Sequence, residues 1–286
     1  MSNILILDGY NLIYRARYSG MNKGDYSTIF NFFRGIRPLV EKFNPDITYF
    51  VLEGRPKKRL EIDPNYKGQR VYTNDDNFSE QRREIIKLVK SNIPFVTIRH
   101  PDYECDDVIN YLACNKHEQD KVTIVSSDTD FIQSIGDSVS LYNPVRKSFI
   151  KKPEYDYVSW KSLVGDKSDN IIGFKGIGDK RAQKLLEDTQ KLNDFLSESN
   201  NKEKFNTNNF MIKFHDLSDE DVQNIEITNS NNFKWNNLKE IFINYDFKSL
   251  TQKDSTWQKY VNTFNNLERN ISNVWNNTWQ PNFSWT

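Results

Sequence analysis

Four short apolar runs, each leading directly or within a few residues into carboxylates, restrict what this chain can fold into. Ile4-Leu5-Ile6-Leu7 ends at Asp8-Gly9, and Ile47 to Leu52 ends at Glu53-Gly54. Phe95-Val96-Thr97-Ile98 leads to Glu104-Cys105-Asp106-Asp107, and Val122-Thr123-Ile124-Val125 to Ser126-Ser127-Asp128-Thr129-Asp130. Each run has the length of a strand buried on both faces. Between them, Ile29, Phe32, Phe33, Ile36, Leu39, Val40 and Phe43 recur at helical spacing after Ser27 as N-cap, and a second helix is expected from Ser79 through Val89. Strands alternating with helices of about ten or more residues specify βαβ crossovers. The expected fold is therefore α/β, with a mainly parallel central sheet flanked by helices. In such sheets sites form outside the carboxyl ends of the strands, and Asp8, Glu53, the Glu104 group and the Asp128 group all map there.

A core does not bury many carboxylates without compensation. The candidate metal ligands are Asp8, Glu53, Glu104, Asp106, Asp107, Asp128 and Asp130, joined by Asp166 and Asp169 from Gly165-Asp166-Lys167-Ser168-Asp169-Asn170. Two Mg²⁺ or Mn²⁺ ions, typically about 4 Å apart, would neutralise such a set and support an in-line phosphoryl displacement. On a regular helix Glu104 and Asp107 share a face while Asp106 points elsewhere, so Glu104 or Asp106 is expected in a distorted first turn. The competing reading is a scatter of helix caps and surface acids.

Composition narrows the classes. Of 286 residues, 37% are hydrophobic, and 39 Lys and Arg balance 39 Asp and Glu. No run approaches the roughly 20 apolar residues of a membrane helix, and the N-terminus lacks a leader pattern, so a cytoplasmic location is expected. Cys105 and Cys114 lie too close for a disulfide framework and read as small core residues. His100, His117 and His215 fit no nucleophile–base arrangement. Charge is segregated rather than absent: Arg55, Lys57, Lys58, Arg59, Lys67 and Arg70 crowd one Pro-punctuated segment, 55–77, expected to be an exposed, mobile excursion. Within it, Lys67 and Arg70 are three apart and could reach one phosphate, with Tyr66 free to stack on a base.

After about Trp160 the strand signal fades. Gly173-Phe174-Lys175-Gly176-Ile177-Gly178 reverses the glycine spacing of a dinucleotide fingerprint and follows no strand, so a tight turn between helices or a DNA-backbone contact remain as readings. Its glycines allow close backbone approach, and Lys175, Lys180 and Arg181 add charge. Asn206 to Asn237 is polar and indistinct, Leu238 to Phe247 and Trp257 to Leu267 read as helical, and Trp275, Trp279 and Trp285 mark a tail that docks on the body or binds a partner.

Taken in order, Asp8-Gly9-Tyr10-Asn11-Leu12-Ile13-Tyr14-Arg15, Tyr66 to Arg70, Tyr103 to Asp107, Ser127 to Asp130, Gly165 to Asn170 and Gly173 to Gly178 resemble the 5′ nuclease superfamily. The likeness is nearest to bacteriophage flap endonucleases and 5′–3′ exonucleases related to the nuclease domain of DNA polymerase I. The resemblance implies a PIN-like α/β domain over 1–160 with a helical arch over 55–77, a helical DNA-binding subdomain over 161–267 containing a helix-three-turn-helix, and a tail over 268–286. It implies structure-specific hydrolysis of branched or 5′-ended DNA, and of RNA in RNA–DNA hybrids, during replication. Asp8, Glu53, Glu104, Asp106 and Asp107 would belong with one metal and Asp128, Asp130, Asp166 and Asp169 with the other, with Asp130 essential. Lys67 and Arg70, helped by Arg15, would hold the scissile phosphate. Tyr66 would contact the strand, and Gly173, Lys175, Gly176, Gly178 and Lys180 would grip the duplex around a K⁺ ion. The chain would act as a monomer, with a replication protein as candidate partner of the Trp-bearing tail. Relatives carry Asp where this chain has Glu53, and a proline where it has Ile172. The alternatives are a PIN-type ribonuclease and a non-catalytic branched-DNA binder.

Overall fold

The structure is a computed structural model that describes residues 1–20, 24–70, 75–228 and 233–278, of which 272–278 are described as backbone only. In chain order, β1 (Asn3–Asp8) leads into α1 (Gly9–Arg17) and α2 (Ser27–Phe43), and β2 (Ile47–Leu52) into α3 (Lys57–Ile62) and α4 (Asp76–Asn92). β3 (Val96–Arg99) leads into α5 (Cys105–Tyr111), which continues as a π-helical turn over Leu112–Lys116. β4 (Lys121–Val125) precedes a 3-10 turn over Asp130–Ser134, and β5 (Val139–Asn143) turns back into β6 (Ser148–Ile150). Then come α6 (Tyr157–Val164), β7 (Gly165–Asp166), β8 (Ile171–Ile172), α7 (Asp179–Leu186), α8 (Thr189–Ser197), α9 (Asn201–Ile212), α10 (Asp219–Gln223), β9 (Glu226–Thr228), α11 (Trp235–Asn244), α12 (Lys248–Thr251), α13 (Asp254–Asn262) and α14 (Asn265–Thr278).

The main sheet runs β6-β5-β4-β1-β2-β3-β9, parallel throughout except at its two edges, where β6 and β9 pair antiparallel. The chain builds outward from β1 through β2 to β3, then crosses back to add β4 and β5 on the other side. That reversal opens a crevice between the carboxyl ends of β1 and β4. Alternation along the strands explains why both faces are covered. Leu5, Leu7, Phe50 and Leu52 join one core with α1, α2 and α4, while Ile4, Ile6, Tyr49 and Val51 join the other with Val108, Ile109 and Leu112 of the α5 side. Helix α2 starts one residue after its N-cap, Tyr26 rather than Ser27, and stops at Asn44, whose left-handed φ of 40° lets its N–H reach the Val40 carbonyl.

The basic segment is exposed over most of its described length, as expected, yet it is anchored where α3 packs down through Arg59 and Tyr66, 3% and 6% exposed; 71–74 lie outside the described residues. Two expectations change. The indistinct stretch after Asn206 contains the end of α9, α10 and edge strand β9, too short for any periodicity to register. The helices expected in a subdomain over 161–267 divide by packing: Phe174, Ile177, Ala182, Leu192 and Phe205 cluster around the Gly-rich hairpin, whereas Leu238, Phe242, Phe247, Trp257, Tyr260 and Phe264 return to the α2 face of the sheet. The side chain of Trp275, and all of Trp279 and Trp285, lie outside the described residues. Among the described residues no helix is long and apolar enough to cross a membrane.

Candidate metal centre and nucleic-acid interface

The crevice between β1 and β4 is built by side chains that tie the two strand ends together. Asp8 closes β1 and caps α1, one oxygen accepting from Asn11 N (3.1 Å) and the other from Ser126 Oγ (2.7 Å). Ser126 Oγ in turn accepts from Asp128 N (3.0 Å), and Asn11 Oδ1 accepts from both Ser127 N (3.1 Å) and Ser127 Oγ (3.0 Å). A Cβ on Gly9 would stand 2.6 Å from the Val51 carbonyl, so only glycine lets α1 start this close to β2. Burial pushes the Asp8 carboxyl up to about 7, against the hydrogen bonds from Ser126 and Asn11, with the charges of Asp128 and Glu53 adding to the rise.

Glu53 and Asp106 complete this side. The buried Cys105 Sγ lies 2.9 Å from Glu53 Oε2 and 3.2 Å from Asp106 Oδ1 and shares its one hydrogen between them. Burial raises both carboxyls above the usual range, with the charge of Glu104 next for Glu53 and that of Asp128 next for Asp106. Among the described residues, Asp8, Glu53, Asp106 and Asp128 make no ion pair.

The opposite side is compensated by cations of the chain itself. Glu104, the N-cap of α5 with extended backbone, accepts from Arg59 Nη1 (2.8 Å), Tyr66 OH (3.1 Å) and Lys67 Nζ. Asp169 accepts from Arg70 Nη2 (2.6 Å) and shares the single Tyr66 hydroxyl hydrogen with Glu104 (3.0 Å to Asp169), with Lys67 Nζ at 3.9 Å. Lys161 on α6 bridges Asp130 and Asp166, the latter at 2.6 Å, while Tyr157 OH donates to Asp130 Oδ1 (3.1 Å). Burial pushes Asp130 up despite Lys161; at Asp166 the bonds from Lys161 and Ser168 outweigh burial and hold the carboxyl below its usual range. One oxygen from each of Asp130, Asp166 and Asp169 lies within 4.8 Å of the others. Burial works against the charged forms of Lys67 and Lys161, but the charges of Glu104 and Asp130 respectively outweigh it and hold both above the usual lysine range, so both stay protonated at neutral pH.

Hard oxygen donors, several of them buried, mutually repelling and outside any ion pair among the described residues, are the donor chemistry a divalent ion such as Mg²⁺ or Mn²⁺ requires. The residues therefore fit a metal centre, and the start of α5 separates two of the candidates. Asp106 faces Asp8, Glu53 and Asp128, whereas Asp107 is fully buried on the other face, with both oxygens held by Arg59 and Oδ1 also accepting from His215 N (2.8 Å). Asp107 therefore has no oxygen turned to the cluster. Lys67 and Arg70 do meet the carboxylates; Arg15 instead lines a cavity between α1, α2 and the β5–β6 turn. Sequence reasoning missed Lys161, Tyr157, Ser126 and the buried role of Arg59. Only Ser126, two residues before Asp128, carried any local signal. His117 is held between Tyr49 OH and Asp120, both at 2.9 Å, consistent with a structural part.

The Gly-rich hairpin joins α6 to α7. A Cβ on Gly173 would overlap the Val164 carbonyl, and Gly165 and Gly176 have φ of 86° and 77°, so these three positions need glycine. Phe174 and Ile177 anchor the hairpin beside Leu163 and Ala182, leaving Lys175, Gly176, Gly178 and Lys180 exposed at the start of α7. Lys204 Nζ donates to the Gly173 carbonyl (2.8 Å).

Known proteins are similar to this chain. Residues 3–161 match the 5′–3′ exonuclease N-terminal resolvase-like domain and residues 152–227 match the 5′–3′ exonuclease C-terminal SAM fold. The chain is 34% identical over 208 residues to a 5′–3′ exonuclease of Aquifex aeolicus, covering 65% of this chain and 69% of that protein. It is 28% identical over 218 residues to the flap endonuclease of Escherichia phage T5, covering 68% and 73%. A DNA polymerase I of Synechocystis is 30% identical over 220 residues, but the match spans only 22% of that longer protein. In fold, the chain resembles the T5 5′-exonuclease with bound zinc, with a TM-score of 0.59 at 21% identity over 95% of this chain and 99% of that one. A T5 flap endonuclease complex with DNA and metal ions gives 0.58 at 20% identity over 93% and 99%. The chain belongs to the 5′–3′ exonuclease and flap endonuclease family of metal-dependent nucleases.

Proposed function

We propose that the chain is a structure-specific 5′ nuclease that hydrolyses phosphodiester bonds in branched or 5′-ended DNA with two divalent ions, Mg²⁺ or Mn²⁺. The observation that carries this reading is the unpaired acidic half of the crevice: Asp8, Glu53 and Asp106 are raised by burial and mutual charge, beside Asp130, Asp166 and Asp169 with oxygens within 4.8 Å of one another. Asp8, Glu53, Glu104 and Asp106 would hold one ion, and Asp128, Asp130, Asp166 and Asp169 the other, without Asp107. When bound, such ions activate water and stabilise the oxygens of an in-line displacement.

The chain's own residues supply position and charge. Lys67, Arg70 and Lys161, charged and held among the carboxylates, stand where they can meet the anionic phosphate and the charge it gains as the bond breaks. Glycines of the hairpin bring backbone N–H groups to duplex phosphates, with Lys175 and Lys180 beside them and a K⁺ ion as a candidate stabiliser. Removal of 5′ flaps or RNA primers in replication is the setting this activity suits. Incubating a 5′-labelled flap with the protein in Mg²⁺ or in EDTA tests it. Cleavage near the branch that requires metal is expected; binding without cleavage in Mg²⁺ would leave a non-catalytic branched-DNA binder instead.

A further inference from the structure

Cys105 packs with Tyr103, Val108 and Ile109 in the core under α5, but its sulfur turns toward carboxylates. Sγ lies 2.9 Å from Glu53 Oε2 and 3.2 Å from Asp106 Oδ1, and its single hydrogen is the one hydrogen-bond donor that either carboxyl group meets among the described residues. It can serve only one of them at a time.

The backbone holds the three groups together. Glu53 follows β2 and Cys105 opens α5, and the two segments touch because Gly54 has no side chain: a Cβ there would overlap the carbonyls of His100 and Tyr103. Arg55 N donates to the Pro101 carbonyl (2.9 Å) and Arg99 Nε to the Glu53 carbonyl (3.1 Å), which ties the end of β2 to the β3–α5 connection on both sides of Gly54. Glu53 reaches the sulfur because a glutamate carries its oxygens one methylene farther than an aspartate.

A thiol among carboxylates changes which ions a crevice selects. Oxygen donors alone suit Mg²⁺, Mn²⁺ and Ca²⁺, whereas a thiolate favours Zn²⁺ and ions of similar softness. A tetrahedral zinc with sulfur at about 2.3 Å and oxygen at about 2.1 Å sets those two donors about 3.6 Å apart. From the observed 2.9 and 3.2 Å, the sulfur and its neighbours would open by less than about 1 Å to reach that spacing. The shared hydrogen would leave to solvent, and a cation would then meet both carboxylates at once.

We propose that Cys105, Glu53 and Asp106 form a mixed sulfur–oxygen site for a thiophilic divalent cation of the Zn²⁺ and Cd²⁺ class, which competes with Mg²⁺ for the two carboxylates and holds the nuclease inactive. The inference rests on the metal-centre reading and deepens it: the same carboxylates serve a productive hard ion or an inhibitory soft one.

The test uses the full chain carrying Cys114→Ser, which leaves Cys105 as its single thiol. Cd²⁺ is titrated into the metal-free protein while the ultraviolet sulfur-to-cadmium charge-transfer absorption is read, and Mn²⁺ is titrated separately through the electron paramagnetic resonance of the free ion. The absorption is expected to rise with Cd²⁺ and saturate. Cys105→Ser keeps a hydrogen-bond donor of similar size and should abolish the band. It should weaken Cd²⁺ binding by about 100-fold or more, beyond the roughly 10–100-fold cost of losing an outer-shell partner, while Mn²⁺ affinity changes by less than about tenfold. Melting curves report whether the variants fold, and Cys105→Ala repeats the comparison.

Cd²⁺ binding without a charge-transfer band in the single-thiol chain overturns the site. Loss of Cd²⁺ and Mn²⁺ affinity by equal factors also overturns it, because the thiol would then only support the carboxylates. A band that forms while flap cleavage in Mg²⁺ continues undiminished overturns the inhibition. Failure of the wild-type chain to cleave a flap in Mg²⁺ would instead sink the nuclease reading, and the charge-transfer band, which needs no DNA, would still decide whether Cys105 binds metal.

Discussion

Arg59 grips Asp107 with two parallel hydrogen bonds, Nη1 to Oδ2 at 2.7 Å and Nη2 to Oδ1 at 2.9 Å, wholly inside the protein. The same guanidinium donates to Glu104 Oε2 (2.8 Å), to the Met211 carbonyl (2.9 Å) and to the Lys213 carbonyl (3.0 Å), so from α3 its donors reach the start of α5 and the end of α9 at once. One residue thus fastens the base of the basic segment to the acidic start of α5 and to the end of α9, and engages both oxygens of Asp107. Breaking a buried pair from one side strands the other charge. Arg59→Met should cost about 3–5 kcal/mol in urea unfolding, with Asp107→Leu in the same chain recovering most of it. If the double variant is no more stable than the single, the pair is not what fixes this junction.

Asp106 and Asp107 should separate in function although they are adjacent. Asp106→Asn is expected to leave folding intact and to raise the metal concentration needed for half-maximal cleavage, because it removes a carboxylate from the repelling cluster. Asp107→Asn should lower the melting temperature and leave that metal dependence within about twofold. A titration of activity against Mg²⁺ for both variants checks this, and equal metal responses would contradict the split.

Lys161 provides a charge that no motif announces. Replacing it by Ala removes the bridge between Asp130 and Asp166. Loss of one preorganised charge from a phosphoryl site should lower kcat by roughly 10²–10³-fold, while duplex affinity in Ca²⁺ stays within about twofold. Single-turnover cleavage beside a binding titration reads both quantities, and a kcat close to wild type would remove Lys161 from the machinery.

The acidic crevice should make the metal-free protein sensitive to alkali. Asp8 rises from 3.8 to about 7 through burial, so between those values the folded state binds a proton that the unfolded state has lost. Stability in EDTA is therefore fully present below about pH 4 as far as this group is concerned, and falls as pH rises toward 7. At about 1.4 kcal/mol per unit the full swing is of order 4 kcal/mol. Added Mg²⁺ should reverse the loss at pH 8 and release protons on binding. Melting temperatures at pH 5 to 8 with EDTA or Mg²⁺ would show a flat EDTA curve if the crevice does not titrate.

Two glycines of one hairpin should behave differently. Gly173→Ala meets the Val164 carbonyl and should destabilise the α6–α7 unit together with duplex binding. At Gly178 a Cβ meets nothing within 4 Å and φ is −104°, so Gly178→Ala should change stability by less than about 1 kcal/mol. If its backbone N–H neighbours face DNA phosphates, duplex affinity drops all the same. Unfolding curves and binding of blunt duplex for both variants distinguish fold from contact.

Local sequence determined the strands, the long helices and the place of the acids. Apolar runs such as Ile4 to Leu7 can only be buried from both sides, and a carboxylate at such a run's end must either find a cation or face the crevice. The hairpin was also legible, because glycine tolerates the left-handed and close-packed backbone that Gly165, Gly173 and Gly176 adopt. What the sequence could not show is which acid is free and which is spent. Asp106 and Asp107 are chemically alike neighbours, and they are told apart by Arg59, 48 residues before Asp107, and His215, 108 residues after it. Lys161, too, becomes part of the site only when α6 lies over the end of β4, and Leu238 to Phe264 reach the α2 face only by a return of the chain across the sheet. Periodicity reports which side of an element is buried; charge pairing across such separations depends on where the elements meet, and only the tertiary structure decides that.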